Sequence, residues 1–340
     1  MEDLKLSRRH ALLGTAALAG ATTGFGLLAP GLGSGSAFAK APMAEGQAPY
    51  FYRFKHGEMQ GTVISDGRLP LGEPSSSFLG TTKKEVGDML TRHFLDPSNV
   101  ILEQNILVLN TGQNLVLFDT GMGESTMFGP TTGQMMKNLK AAGIDPATID
   151  AIVCSHGHCD HVWGIMTDDG KRNFPNAQIY ISQTDFDFWT DEAKLSMTEP
   201  GYMKSFVEGA RRNLMPNRDR IKFVSDGEEF LPGIQAMAAP GHTLGHTAFV
   251  LTSAGKTMLA ISDTTHHHVL LLEKPLMEFA FDTDPKQSAQ TRKRILDMVA
   301  AQRIPVIAYH FPWPGIGYVA KRGEGFQYYP APMVMQEMPT

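Results

Sequence analysis

With 340 residues, 42% of them hydrophobic and 19% charged, the chain has ample apolar material for a large core and none of the bias of disordered or fibrous sequences. A net charge of -5 and the lack of any run of Lys or Arg argue against a nucleic-acid partner, so the expected partner is small and near neutral. Two cysteines, Cys154 and Cys159, cannot build a disulfide framework; they read as free or buried thiols, with a bond between them left open.

Residues 1–39 read as a leader rather than as part of the fold. The paired arginines of Ser7-Arg8-Arg9 precede a glycine-interrupted apolar run, and Ala37-Phe38-Ala39 offers a small-residue cleavage site before Lys40. The pattern resembles a twin-arginine export signal, with an uncleaved membrane anchor as the alternative. Residues 40–340 are then one domain, periplasmic or secreted. No stable membrane insertion is expected after cleavage, because no later stretch is long and apolar enough to span a bilayer.

Short strands separated by turn residues follow. Gly61–Ser65 closes on Asp66-Gly67, and Ile106–Leu109 and Leu115–Phe118 are joined by the hairpin signal Asn110-Thr111-Gly112. A helix is expected from about Thr132, with Met135, Met136 and Leu139 at helical spacing and Gly143 as its C-cap. Ala151–Cys154 is a short apolar run that delivers a polar loop. Ala177–Ile181 reads as a strand, Phe186–Trp189 as a helix start, and Ile221–Val224, Ile234–Ala238, Thr247–Leu251 and Thr257–Ile261 as further strands. Asp284-Pro285 supplies an N-cap and first-turn proline for a helix to about Gln302, and Val306–Ala308 is expected to be the last buried strand. The pattern predicts an α+β domain of two packed sheets with helices outside.

The segment His156-Gly157-His158-Cys159-Asp160-His161 puts four potential ligands in six residues, a density that is costly to bury without a cation. At a strand end such a loop can splay towards two neighbouring ions. Imidazole and carboxylate together suit zinc and similar borderline metals. Gly157 is expected to permit a tight backbone turn. His242, Asp263 and His310 each follow a predicted strand, where a rigid scaffold presents functional groups. His246 reads as a supporting or packing residue. His266-His267-His268 reads as a solvated loop beside Asp263, with a surface metal site as the alternative.

The His-x-His-x-Asp-His pattern of His156 to His161 resembles that of the metallo-β-lactamase superfamily, and the likeness runs from about Asp66 to Pro330. It implies a four-layer αββα sandwich and two divalent ions, zinc foremost, with Mn, Co or Fe as alternatives. One ion would take His156, His158 and His242, the other Asp160, His161 and His310, with Asp263 bridging. A hydroxide shared by the ions would be the nucleophile, and Asp160 would also orient the attacking water. Asp119 would orient a ligand histidine; its plain reading is a turn-capping aspartate.

Four further stretches are similar to methyl parathion hydrolase and its lactonase and arylesterase relatives: Leu117-Phe118-Asp119-Thr120-Gly121, Phe128-Gly129-Pro130-Thr131, Asn138-Leu139-Lys140-Ala141-Ala142-Gly143 and Pro314-Gly315-Ile316-Gly317. On that likeness Phe128, Trp189 and Phe206 line an aromatic mouth. The substrate would be a neutral ester: an aryl phosphotriester, a lactone or an aryl ester. The loops holding His266–His268 and Pro312-Trp313-Pro314 are expected beside the metals. An acyl-homoserine lactonase is the alternative, then a β-lactamase, which Asp263 argues against. A metal-free scaffold of the same fold is the non-enzyme alternative, and self-association as a homodimer stays open.

Overall fold

Along the strand Val100–Asn110, Ile106 and Val108 enter one hydrophobic core while Leu107 and Leu109 enter another. This period of two is what a strand buried on both faces requires. The computed structural model describes Met43, residues 47–197 and residues 199–334, so the expected leader lies outside the described residues. The described residues from 48 to 334 form one unit, built around two seven-stranded sheets.

The first sheet runs, in spatial order, β1 (Phe51–His56), β2 (Met59–Gly72), β3 (Val100–Asn110), β4 (Leu115–Phe118), β5 (Ala151–Val153), β6 (Gln178–Ser182) and β7 (Ile221–Val224). It is antiparallel as far as β4 and parallel from β4 to β7. The second runs β8 (Glu229–Leu231), β9 (Ile234–Ala238), β10 (Thr247–Ser253), β11 (Lys256–Ala260), β12 (Val306–Ile307), β13 (Ile316–Arg322) and β14 (Gly325–Pro330). Only β11 and β12 pair in parallel there.

Val63, Leu107, Val116 and Val153 of the first sheet meet Phe249, Leu251 and Ile307 of the second in the space between the sheets. At one end of β2 and β3, helix α1 (Lys83–Arg92) buries Val86, Met89 and Leu90 beside Leu69 and Leu102. Outside the first sheet lie α2 (Met135–Ala141), α3 (Gln183–Thr190) and α4 (Met203–Leu214), which bury Leu139, Phe186 and Val207 with Ile64, Leu117 and Ile152. Outside the second, α5 (Pro285–Gln302) buries Ile295, Leu296 and Val299 with Leu259 and Val306. Each such aliphatic side chain contributes about 1.5–3 kcal/mol on full burial. The four layers are those of the expected αββα sandwich.

Asp284 caps α5 by accepting the Gln287 N–H at 3.0 Å, with Pro285 in the first turn, as the sequence predicts. Two expectations are corrected. The strand does not end at Asp66-Gly67: β2 continues to Gly72 after a break in register between Ser65 and Arg68. Asp66 sits at that bulge and its buried carboxylate accepts the N–H groups of Met122, Gly133 and Met135, so a turn-forming pair is used to pin α2 to the sheet. Nor is Val306–Ala308 the last strand, since the hairpin of β13 and β14 follows. Among the described residues, no helix is long and apolar enough to cross a membrane.

Candidate metal centre

Strand β5 runs out at Val153 and delivers Ser155, His156 and His158, the last standing just before a single helical turn, Cys159–Val162, that carries Asp160 and His161. β9 leads to His242, β11 to the turn Ser262–Thr264 with Asp263, and β12 to His310. Both sheets therefore supply residues to one buried cluster.

All seven expected ligands are brought together. His156, His158 and His242 form one group whose ligand atoms lie within 4.8 Å of one another, and Asp160, His161 and His310 form another. Asp263 stands between them, its Oδ1 3.4 Å from His161 Nε2 and its Oδ2 3.3 Å from His242 Nε2 and 3.2 Å from His310 Nε2. Cys154 and Cys159 are both buried free thiols.

The hydrogen bonds behind the cluster decide how the imidazoles face it. His161 Nδ1 lies 2.9 Å from Asp119 Oδ2, His242 Nδ1 2.8 Å from Asp282 Oδ1, and His310 Nδ1 2.8 Å from the Glu103 carbonyl. His156 Nδ1 lies 3.0 Å from the Ser155 hydroxyl, which itself meets the Asp119 carboxylate. An Nδ1–H committed to such acceptors leaves Nε2 as a lone pair directed inward. His156 Nε2 and His242 Nε2 then face each other at 3.1 Å, and the buried Nε2 atoms of His158 and His161 have no hydrogen-bond partner among the described residues. Lone pairs this close need a cation between them, and nitrogen with carboxylate oxygen is the donor set of zinc-like ions. The residues fit two divalent metals.

Burial drives His156, His158 and His242 well below the ordinary imidazole range, so they are neutral donors of electron pairs. His161 and His310 go the other way: burial opposes their protonation, but Asp263, with Asp160, outweighs it. Burial would raise the Asp160 carboxyl too, yet His161 and His310 bring it down to about 2. Positive charge is thus favoured most strongly in the Asp160–His161–His310 half.

Asp119 orients His161 rather than serving only as a turn residue, and it adopts φ 63° to do so. His246 accepts the Asp263 N–H on Nε2 at 3.1 Å and donates from Nδ1 to the Ala239 carbonyl at 3.0 Å, so it supports the Asp263 turn. Gly157 does not have the left-handed backbone a tight turn would need; it is required because a Cβ there would lie 2.5 Å from Trp189 Cδ1.

A narrow cleft opens onto Asp160, His266 and His310, with walls that include Leu69, Leu71, Leu102, Phe128, Phe206 and Phe281. Among the described residues, no Lys or Arg lines it. Phe128 and Phe206 line this cleft. Trp189 does not: it is fully buried behind His158, with ring centroids 4.7 Å apart, because α3 packs onto the ligand loop. Of Pro312-Trp313-Pro314, Pro312 lies beside the cluster, lining a neighbouring depression with His310, while Trp313 turns away, edge-on to Tyr50 at 5.7 Å.

The triple histidine is not a solvated loop. His266 and His267 are buried; His267 Nδ1 accepts the N–H groups of Val269 and Leu270, and His266 stacks on Phe279 with its Nε2 3.0 Å from Asp263 Oδ2. The sequence places His266 only in a solvated run or surface metal site, and it does not single out Asp185, Asp282 or Arg292. For His266 the spacing of three residues from Asp263 was the available signal; the other three lie at ordinary helix-start, loop and helix positions.

The metallo-beta-lactamase superfamily profile matches residues 101–307, which include six of the seven clustered residues. The N-acyl homoserine lactonase AiiA of Bacillus thuringiensis subsp. kurstaki is 27% identical over 221 residues, covering 59% of this chain and 78% of the relative. AidC, a dizinc quorum-quenching lactonase solved in complex with a product N-hexanoyl-L-homoserine, matches with a TM-score of 0.78 at 28% identity, over 84% of this chain and 98% of its own. The hydrolase AbOPH of the beta lactamase superfamily matches with a TM-score of 0.79 at 30% identity, over 85% of this chain and 100% of its own. With its four layers, its buried histidine and aspartate cluster and a profile match across more than half its length, the chain belongs to the metallo-beta-lactamase superfamily.

Proposed function

We propose that this chain is a two-metal lactonase that opens the ring of N-acyl homoserine lactones. The observation that carries this reading is the cleft: a neutral wall of leucine and phenylalanine ends directly on the clustered imidazoles and carboxylates. A lactone with an apolar acyl chain matches both halves of that surface, and the likeness to AiiA and AidC supports it.

His156, His158 and His242 would hold one ion, Asp160, His161 and His310 the other, with Asp263 between them. Such a pair of ions supplies Lewis acidity and lowers the pKa of a nearby water towards neutrality. The chain's own groups do the rest. Asp160, the most exposed of the seven and ionised at any working pH, can accept a hydrogen bond from the attacking water and aim it. Leu69, Leu71 and Leu102 exclude solvent from the acyl chain, and Phe128 and Phe281, ring centroids 6.5 Å apart, border the mouth.

A panel of acyl-homoserine lactones, dihydrocoumarin, methyl parathion, p-nitrophenyl acetate and nitrocefin tests this. The highest kcat/KM is expected for a lactone, and a preference for nitrocefin would sink the reading. The aromatic part of the wall favours a second reading, an aryl phosphotriester or aryl ester hydrolase, which was the first expectation from sequence and which the same panel weighs. The leader pattern in residues 1–39 would place the activity in the periplasm or outside the cell, and cell fractionation checks that.

A further inference from the structure

We propose that Asp185 is a positioning residue for the metal centre, its single carboxylate setting the distance between the loop of His156 and His158 and the loop of His242. The inference rests on the two-metal reading above. Asp185 lies in the first turn of α3, wholly buried, and does not line the cleft. Its Oδ2 accepts the N–H of Gly157, the residue between His156 and His158, at 2.6 Å. Its Oδ1 accepts the N–H of Gly245, three residues after His242, at 3.0 Å.

A helix-start carboxylate ordinarily turns back to cap its own helix. Here Ser182 does the capping, accepting the Asp185 N–H, which frees both carboxylate oxygens for other segments. The fit is tight at both glycines. A Cβ on Gly157 would lie 2.5 Å from Trp189 Cδ1, and one on Gly245 would lie 2.4 Å from Ser182 Oγ. α3 is therefore a template against which two ligand loops are pressed, and Asp185 is the latch that joins them. His156 Nε2 and His242 Nε2, 3.1 Å apart, belong one to each loop.

Two acceptor oxygens are needed because two N–H donors arrive. Asparagine offers one oxygen and one NH2, so Asp185→Asn leaves one loop facing a donor and free to shift. Zinc and cobalt affinities of wild type and variant are measured by chelator competition, alongside the cobalt absorption spectrum and the melting temperature of the metal-free protein. The ion of the His156–His158–His242 group is expected to weaken by about 10- to 100-fold, with a changed cobalt spectrum, while the other ion holds within about threefold.

Wild-type affinity for both ions in Asp185→Asn, with or without a lower melting temperature, overturns the proposal and makes Asp185 a purely structural residue. If the variant does not fold, amide exchange in the metal-free wild type decides. Protection of the Gly157 and Gly245 amides is expected, and exchange as fast as that of an open loop would overturn the latch. Wild type that binds fewer than two ions would instead overturn the two-metal reading itself.

Discussion

Replacing Asp282 by asparagine removes the charge from one contact while keeping its shape. His242 Nδ1 lies 2.8 Å from Asp282 Oδ1, both side chains are closed to solvent, and Asp282 Oδ2 lies 3.6 Å from Arg292 Nη2. An ionised acceptor strengthens the Nε2 lone pair of His242, whereas an amide does so weakly and, if inverted, presents a donor to Nδ1–H. Outer partners of this kind are worth about 10- to 100-fold in metal affinity, which is about 1.4–2.7 kcal/mol. The upper end is expected, because a dry pair loses its charge assistance in full. Competition against a chromophoric chelator, repeated with cobalt to tell the ions apart, is the assay. Only the ion of the His156–His158–His242 group should weaken. Equal weakening of both ions, or of neither, would refute the idea that Asp282 acts through His242.

Each methylene of an acyl chain laid on the leucine wall should add about 0.8 kcal/mol, about fourfold in kcat/KM. Phe281→Ala is expected to flatten that dependence chiefly through KM, as steady-state kinetics over a series of chain lengths would show. Acidification should strip the Asp160–His161–His310 ion first. His161 and His310 are raised above the ordinary imidazole range by Asp263 and Asp160, so protons compete there at a higher pH than at His156, His158 and His242, which burial holds low. The sign reverses without metal: a raised histidine stabilises the fold below its unfolded value near 6.5 and loses that contribution as pH climbs through the folded value. Calorimetry of chelated protein should therefore show these two groups favouring pH 6 over pH 9, and holoprotein the opposite. Arg292, the one lysine or arginine among the described residues that is fully buried, donates to the carbonyls of Thr264, Pro275 and Met277. Arg292→Met should cost about 3–5 kcal/mol, because it strands Asp282 and three carbonyls; urea denaturation showing under 1 kcal/mol would mark the arginine as filler.

The ligand set was legible because dense histidine and aspartate at strand ends has few uses, and because β4, β5, β9 and β10 are short apolar runs with clear boundaries. What supports the ligands was not. Asp185 looks like a helix-start aspartate and Asp282 like a loop aspartate, and only the tertiary fold brings them to Gly157, Gly245 and His242. Arg292 sits at an ordinary helical position, where surface exposure is the usual outcome. His266–His268 misled because three polar residues in a row read as solvated, whereas Phe279 and the carboxylate of Asp263 supply the ring face and the charge that make burial tolerable for His266. Trp189 misled in the opposite sense: its α3 partner positions were sound, but an aromatic can back a ligand as readily as face a substrate. The β13–β14 hairpin and α1 escaped because glycine and proline interrupt the hairpin's apolar positions and α1 buries only Val86, Met89 and Leu90 among polar neighbours.

Four of the clustered groups follow β5 in the first sheet, and three follow β9, β11 and β12 in the second. Ions held among them would act as rivets through the seam of the sandwich. Shedding metal would then loosen the join between the layers without undoing their hydrophobic packing, so the protein's lifetime among proteases should track its occupancy.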